Sequence, residues 1–458
     1  MVDSTLFPGT ALKVASNRWQ RARHVPVLSR KTRDRYRVRF IEKRRAFRAE
    51  TRMAKHAVYI QRLESLAECR DPSASSLYRR VRSLKRSLPS VSIPTESLAA
   101  SWNQVWKAKE LPDEDKFLEQ IALLHAREPD LSERDLALCQ DFSMGELTSA
   151  LALCSRGKSP DFLGHDYDAL RSLPSEALEL FLRICNRLWQ TDTIPPQWME
   201  GWIRFLPKPG GRPDDPRDYR PISLLSVWYK LLERMLWTRI QAWKPAWADA
   251  QAGFRPGRSC VAQTGALHIM KEWLQSKRQV AFAAFLDIAK AFDSVSYTAV
   301  ELKMLRMGFP PRAVNLICRM LRHHRNHVVG GMLDAVVEVG RGAPQGSVLG
   351  PFVFLVMIND LPGYLETAVP QWQQEPLLIR SMLWADDTLL VSQDPSTLQA
   401  LLDACHEWSL RWGLVFNPSK SVILPLGAHH TNLAGRLRRP SHWEVTLSSV
   451  RNRPNTSE

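Results

Sequence analysis

The sequence has no CxxC pair and no even set of cysteines. Its 7 Cys stand at 69, 139, 154, 185, 260, 318 and 405. An odd, scattered set argues against a disulfide framework and against a zinc knuckle. It points instead to a reducing, intracellular compartment. Long apolar runs are missing too. The longest, Val348 to Ile358, covers 11 positions and contains Gly350 and Pro351. That is too short for a membrane span. No charged-then-apolar leader pattern opens the chain, and no repeat recurs at solenoid spacing.

What is present is size and positive charge. The chain has 458 residues, 44% of them apolar, enough for two or three domains and at least one large core. Its net charge of +16 favours a polyanionic partner, either nucleic acid or an anionic membrane surface. That charge is uneven. From Arg18 to Lys55 there are 15 Lys/Arg against 3 Asp/Glu, a net of +12, which leaves +4 for the rest. Residues 17–87 read as a long basic helix. Arg35, Arg37, Arg39, Arg44 and Arg45 are its candidate phosphate-binding side chains. A solvated basic helix or a disordered arm is the plainer alternative.

The remaining chain divides by texture. Residues 1–112 form a basic helical extension whose last part, 88–112, reads as a Pro- and Ser-rich linker with a short helix around Trp102 to Trp106. Residues 113–190 read as mainly helical. Ser143 is a candidate N-cap with Glu146 as its capping-box partner. Residues 191–427 mix short β-like runs with helices. Residues 428–458 are a polar tail without periodicity.

Three carboxylates carry the chemistry. Val280 to Asp287, VAFAAFLD, is an apolar run of strand formers that stops on an acid. A carboxylate at the end of a buried strand is costly unless paired, hydrogen-bonded or bound to a metal. Leu377 to Ser392, LLIRSMLWADDTLLVS, reads as a β-hairpin with Asp386 and Asp387 at its tip. Ordinary turn chemistry explains a lone Asp-Asp. Adjacent carboxylates repel, however, so both ionise only with a cation near them. A strand acid beside hairpin acids is the set that two Mg²⁺ ions need for phosphoryl transfer, with substrate phosphates filling the other positions.

Six segments in order now point to a family. They are FLPKPGGRPDDPRDYRPISLLSVWYKLLERML (205–236), QAGFRPGRSC (251–260), FLDIAKAFDSV (285–295), RGAPQGSVLGPFVFLVMINDLP (341–362), WADDT (384–388) and WGLVFNPSKS (412–421). A weaker one, RGKSPDFLGHDYDAL (156–170), precedes them. Together they resemble the reverse transcriptase domain of non-LTR retrotransposons, over about residues 142–427.

The resemblance implies an α+β right-hand polymerase: fingers and palm, a partial thumb, and the basic helical N-terminal extension. It implies an RNA-directed DNA polymerase acting on an RNA template, a DNA primer and dNTPs, with two Mg²⁺ ions or Mn²⁺ in their place. Asp287 and Asp386 would ligate the metals, with Asp387 a weaker or outer ligand. Lys420 would protonate the leaving pyrophosphate. Lys208 and Arg220 would hold the triphosphate. Phe292 would exclude a ribose 2′-hydroxyl. Gln345 and Gly346 would line the incoming nucleotide, the glycine allowing close backbone approach. Asp293 would cap a helix or serve the structure rather than bind metal.

Trp384 departs from the usual Tyr or Phe of the hairpin, and the resemblance fades after Lys420. A catalytically dead, nucleic-acid-binding remnant is therefore the alternative reading. A group II intron maturase fits the wording of residues 341–362 less well. Residues 1–141 resemble a connector from an upstream endonuclease, which implies an internal piece of a longer polyprotein. Target-primed synthesis implies action in the nucleus.

Overall fold

The computed structural model describes Glu42 and residues 93–427, except 127–130, 159, 162, 192, 209, 213, 323 and 329–334. Apart from Glu42, these residues fall in one unit, Val91–Glu458. The expected basic helix over 17–87, with Arg35, Arg37, Arg39, Arg44 and Arg45, and the tail after 427 lie outside the described residues.

In chain order the helices are α1 (Thr95–Trp106), α2 (Glu114–Ala126), α3 (Glu133–Cys139), α4 (Met144–Ala152), α5 (Tyr167–Arg171), α6 (Ser175–Arg187), α7 (Val227–Trp243), α8 (Cys260–Ser276), α9 (Tyr297–Arg306), α10 (Pro311–Leu321), α11 (Gly350–Ile358), α12 (Leu361–Ala368) and α13 (Pro395–Arg411). The strands are β1 (Glu200–Pro207), β2 (Tyr219–Leu225), β3 (Val280–Leu286), β4 (His324–Val328), β5 (Ala335–Val339), β6 (Ser381–Trp384), β7 (Asp387–Ser392) and β8 (Val422–Gly427). The fold is thus mixed α and β, with mostly helices before β1.

Helix α1 corrects the expected linker. The prolines and serines before it suggested only a short helix near Trp102. Yet Leu98, Ala99, Trp102 and Trp106 recur at steps of three and four, which is one face of a helix. That face is buried against Ile203, Phe205, Tyr219, Val328 and Val337 of the first sheet. Removing the Trp102 side chain from such a core costs about 3–5 kcal/mol. Helix α4 opens as its sequence predicts. The Ser143 Oγ accepts from the Glu146 N–H, and the Glu146 carboxylate accepts from the Ser143 N–H at 2.8 Å. Glu146 also takes the Nε–H of Arg239 on α7 at 2.6 Å, so one cap residue joins two helices.

Two four-stranded sheets organise the rest. The first has the order β2-β1-β4-β5, antiparallel except for the β1–β4 pair. The second has the order β6-β7-β3-β8, antiparallel throughout. Strand β3 lies inside the second sheet and is buried on both faces. Phe282, Ala284 and Leu286 join the large helical core, while Ala281 and Ala283 pack with Met270 and Leu274 of α8. This double burial explains why VAFAAFL is a continuous apolar run rather than an alternating one.

The longest apolar run becomes α11, buried on every side in the main core. Among the described residues no helix is long and apolar enough to cross a membrane. The six described cysteines are free thiols.

Candidate active site

Strand β3 delivers Asp287 where the sequence placed it, directly after Leu286. Its backbone is splinted by the segment 412–421. The Asp287 N–H donates to Ser421 Oγ at 3.3 Å, and its carbonyl accepts from the Asn417 N–H at 2.7 Å. The Ala289 N–H donates to the Val415 carbonyl at 2.8 Å. The same segment brings the Lys420 Nζ within 3.8 Å of the Asp287 carboxylate, with the lysine side chain 67% exposed.

The predicted hairpin is also present. Trp384 pairs with Asp387, which leaves Ala385 and Asp386 as a two-residue turn. Ala385 has φ 58°, a left-handed conformation that costs an L-residue roughly 1–2 kcal/mol. Strand β7 pairs with β3 so that Thr388 faces Leu286. One step on, the same register sets Asp387 beside Asp287. Antiparallel pairing thereby closes the 99-residue gap between the strand acid and the hairpin acids. Asp287, Trp384, Asp387 and Lys420 line one cavity of about 510 Å³, floored by Leu267, Phe285 and Met382.

The electrostatics of this end are unbalanced. Burial, and then the charges of Asp387 and Asp287, push Asp386 above the ordinary carboxylate range, while Lys420 pulls it down. Asp387 is raised likewise, by burial and by Asp287. Carboxylates crowded with a single nearby lysine fit a hard cation. Among the described residues no three His, Cys, Asp or Glu side chains converge as a ready-made metal group.

The other predicted residues lie on adjoining segments. The Gln345 carbonyl accepts from the Ser223 N–H of β2 at 2.8 Å. Gly346 has φ 134°, and a Cβ there would stand 2.4 Å from the Ser223 carbonyl oxygen. Contact with β2 is therefore enough to require glycine, where the sequence suggested close approach to a ligand. Phe292 is half-buried, stacked on Phe354 at 4.8 Å and edge-on to Phe254 at 6.2 Å. Its carbonyl accepts from the Ala343 N–H at 2.8 Å, which ties the strand-acid segment to the Gln345 turn. Arg220 is exposed on β2 opposite Leu206. Lys208 is exposed just past β1 and donates to the Arg217 carbonyl at 2.6 Å.

Sequence reasoning missed two residues here. Glu233 of α7 is fully buried. It accepts from the Ser347 hydroxyl, the Val348 N–H at 2.8 Å and the Leu349 N–H at 3.4 Å, so it anchors the loop that carries Gln345. Burial lifts its carboxyl to about 7. Lys290 is held down by burial and by the positive charges of Lys208, Arg217 and Arg341, so these four cations form one neighbourhood. Both residues sat inside quoted motifs, but their partners are distant in sequence. Asp293 does not cap α9, since Ser296 does. It is buried and accepts from the Trp106 Nε1–H at 3.0 Å, a tie to α1 that gives it the structural role of the two expected.

Residues 206–434 match the family model for reverse transcriptase (RNA-dependent DNA polymerase). The RNA-directed DNA polymerase from mobile element jockey of Drosophila melanogaster is 30% identical over 288 residues, 61% of this chain and 31% of its own length. The "Probable RNA-directed DNA polymerase from transposon BS" of the same organism is 31% identical over 289 residues, 60% of this chain and 31% of its own length. The chain thus spans about a third of the length of the curated relatives it matches. A solved structure, apo telomerase from Candida tropicalis truncated from its C-terminal domain, has a TM-score of 0.39 at 14% identity over 53% of each chain, a likeness too loose to carry weight. The family match covers half of the sequence and includes every acid of the site, so the chain belongs to the reverse transcriptase family.

Proposed function

We propose that this chain is the polymerase portion of a non-LTR retrotransposon protein. It adds dNTPs to the 3′-hydroxyl of a DNA primer on an RNA template. The observation that carries this reading is the convergence of Asp287, Asp387 and Lys420 on one cavity, with Asp386 next to Asp387 in the hairpin turn. In this reading the second sheet is the palm, and the first sheet with α1 belongs to the fingers. Residues 17–87 act as a basic arm.

Divalent ions, two Mg²⁺ by ligand chemistry, would be held by Asp287 and Asp386 with Asp387 as an outer ligand; they would activate the primer hydroxyl and neutralise the triphosphate. The protein's own residues do the rest by positioning and charge. Lys208 and Arg220 bind the triphosphate, with Lys290 close by. The Gln345 turn lines the nucleotide. Phe292 is held by its aromatic neighbours and closes the side where a 2′-hydroxyl would sit. Lys420, beside Asp287, delivers a proton to the leaving pyrophosphate. Arg35, Arg37, Arg39, Arg44 and Arg45 contact RNA phosphates, and synthesis takes place in the nucleus.

Trp384 supports a second reading. Its bulky indole lines the cavity beside the acids, where it could block a primer end and leave a binding-competent but inactive protein. One assay separates the two. The protein is given dNTPs on poly(rA)·oligo(dT), with Mg²⁺ and with EDTA. Metal-dependent incorporation is expected. A folded protein that binds the primer–template and never extends it would favour the inactive remnant. The arm is tested by Arg-to-Ala changes at 35, 37, 39, 44 and 45. These should weaken RNA binding and flatten its salt dependence; an unchanged salt slope would remove the arm from the account.

A further inference from the structure

The segment QAGFRPGRSC stood out in the sequence, and the roles above leave its first three residues unused. Gln251 is fully buried, at 0% exposure. Its Oε1 accepts two backbone N–H groups, from Gly253 at 2.7 Å and from Ala385 at 3.1 Å. Its Nε2 donates to the Ala385 carbonyl at 3.4 Å. The backbone reinforces this contact. The Ala252 N–H donates to the Leu383 carbonyl at 2.9 Å, and the Leu383 N–H donates to the Ala250 carbonyl at 2.8 Å. A Cβ on Gly253 would stand 2.3 Å from the Ala385 nitrogen, so residues 251–253 lie flush against the hairpin tip.

Ala385 needs such support. It holds φ 58° with no polar side chain to stabilise that conformation, and it immediately precedes Asp386. An aspartate or asparagine visits this region by bonding to its own backbone; an alanine cannot. Gln251 supplies from a distant segment what the turn lacks, one acceptor for the N–H and one donor for the C=O of the same residue. A side-chain amide carries both, a carbonyl oxygen and an NH₂, on one planar group. A glutamate would lose the donor and place a buried negative charge beside Asp386 and Asp387. An asparagine would be one methylene too short.

We infer that Gln251 is a positioning residue for the polymerase reaction: it clamps both backbone groups of Ala385 and thereby aims the Asp386 carboxylate. The inference rests on the polymerase reading above. It also explains the glycine at 253, since any side chain there would push the tip out of place.

The test uses the full chain with Gln251→Ala, Ala385→Gly and the double variant. Each is measured for kcat and for KM of dNTP, for thermal unfolding, and for hydrogen exchange at the residue-385 amide. In Gln251→Ala, kcat should fall about 100-fold, the cost of misplacing a reacting group by about 1 Å. KM for dNTP should stay within about threefold, because the loss belongs to the reacting state and not to nucleotide binding. Glycine adopts the left-handed conformation unaided, so the double variant should recover its melting temperature. It should not recover kcat, because the side-chain clamp on residue 385 is gone and the main-chain bonds at 383 do not reach the turn.

A kcat near the wild-type value in the folded Gln251→Ala or double variant would overturn the inference. So would a defect confined to KM. If Gln251→Ala does not fold, the double variant carries the same comparison. If the unaltered chain incorporates no nucleotide, the polymerase reading fails on its own, and the clamp is judged by exchange. Loss of one buried hydrogen bond should then speed exchange at residue 385 by about tenfold or more in Gln251→Ala. Unchanged exchange would overturn the clamp.

Discussion

Two hairpin ends carry aspartates, and they treat them in opposite ways. In the loop between β1 and β2, Asp215 accepts from the Arg217 N–H at 2.9 Å and from its guanidinium, and it pairs with Arg212 as well. Arg217 and Arg212 hold its carboxyl far below the usual carboxylate range. At the β6–β7 tip, burial and neighbouring carboxylates push Asp386 and Asp387 up, with Lys420 as the opposing charge. The first acid is completed within the fold. The second pair is left for something outside it. An ion pair closed by the chain's own arginines is structure, whereas like charges gathered at strand ends are a place for a cation.

The comparison can be broken most sharply at Asp287. Asp287→Asn should cut incorporation by about 10³-fold or more, the loss of several kcal/mol of charge stabilisation. A residual rate within tenfold of wild type would show that the crowded acids are idle. Arg220→Ala comes next. Losing a charged hydrogen bond to the triphosphate should raise KM for dNTP by about 10- to 100-fold with a smaller change in kcat. A change in kcat alone would place Arg220 outside nucleotide binding.

Glu233 tests the comparison from the buried side. Glu233→Gln swaps an acceptor for a donor facing backbone N–H groups, so the Gln345 loop should loosen and KM for dNTP rise about tenfold. Its folded pKa of about 7 lies above the ordinary 4.5, so the folded state keeps a proton that the unfolded state releases. Its stabilising contribution is full below about 4.5 and is lost as pH rises through about 7. Melting curves of the variant should lack that part of the pH dependence; an unchanged profile would assign it to another group. The smallest effect is expected for Asp215→Asn, whose arginine partners are both exposed. Its melting temperature should drop by a few degrees while kcat stays near wild type, and a collapse of kcat would erase the contrast between the two hairpins.

Much of this arrangement was legible in the sequence because it is local. VAFAAFLD ends a strand on an acid, WADDT sits between two apolar runs, and Ser143 with Glu146 forms a capping box, all within a few residues. What escaped depends on distant partners. Gln251 reads as one polar residue in a loop until it meets Ala385, 134 residues away. Glu233 reads as a helix-surface acid until it meets Ser347, 114 residues on. Asp293 waits for Trp106, 187 residues earlier. Helix α1 was read too short for a different reason: nearby prolines and serines outweighed a tryptophan stripe that has a clear helical period.

The most direct measurement is primer extension by Asp386→Asn, taken together with its RNA affinity and melting curve on one preparation. The account predicts that extension disappears, RNA binding stays nearly intact, and the melting temperature holds or rises, since removing one of several crowded like charges relieves the fold. Loss of folding or of RNA binding along with extension would contradict it, and would show that these acids are structural like Asp215.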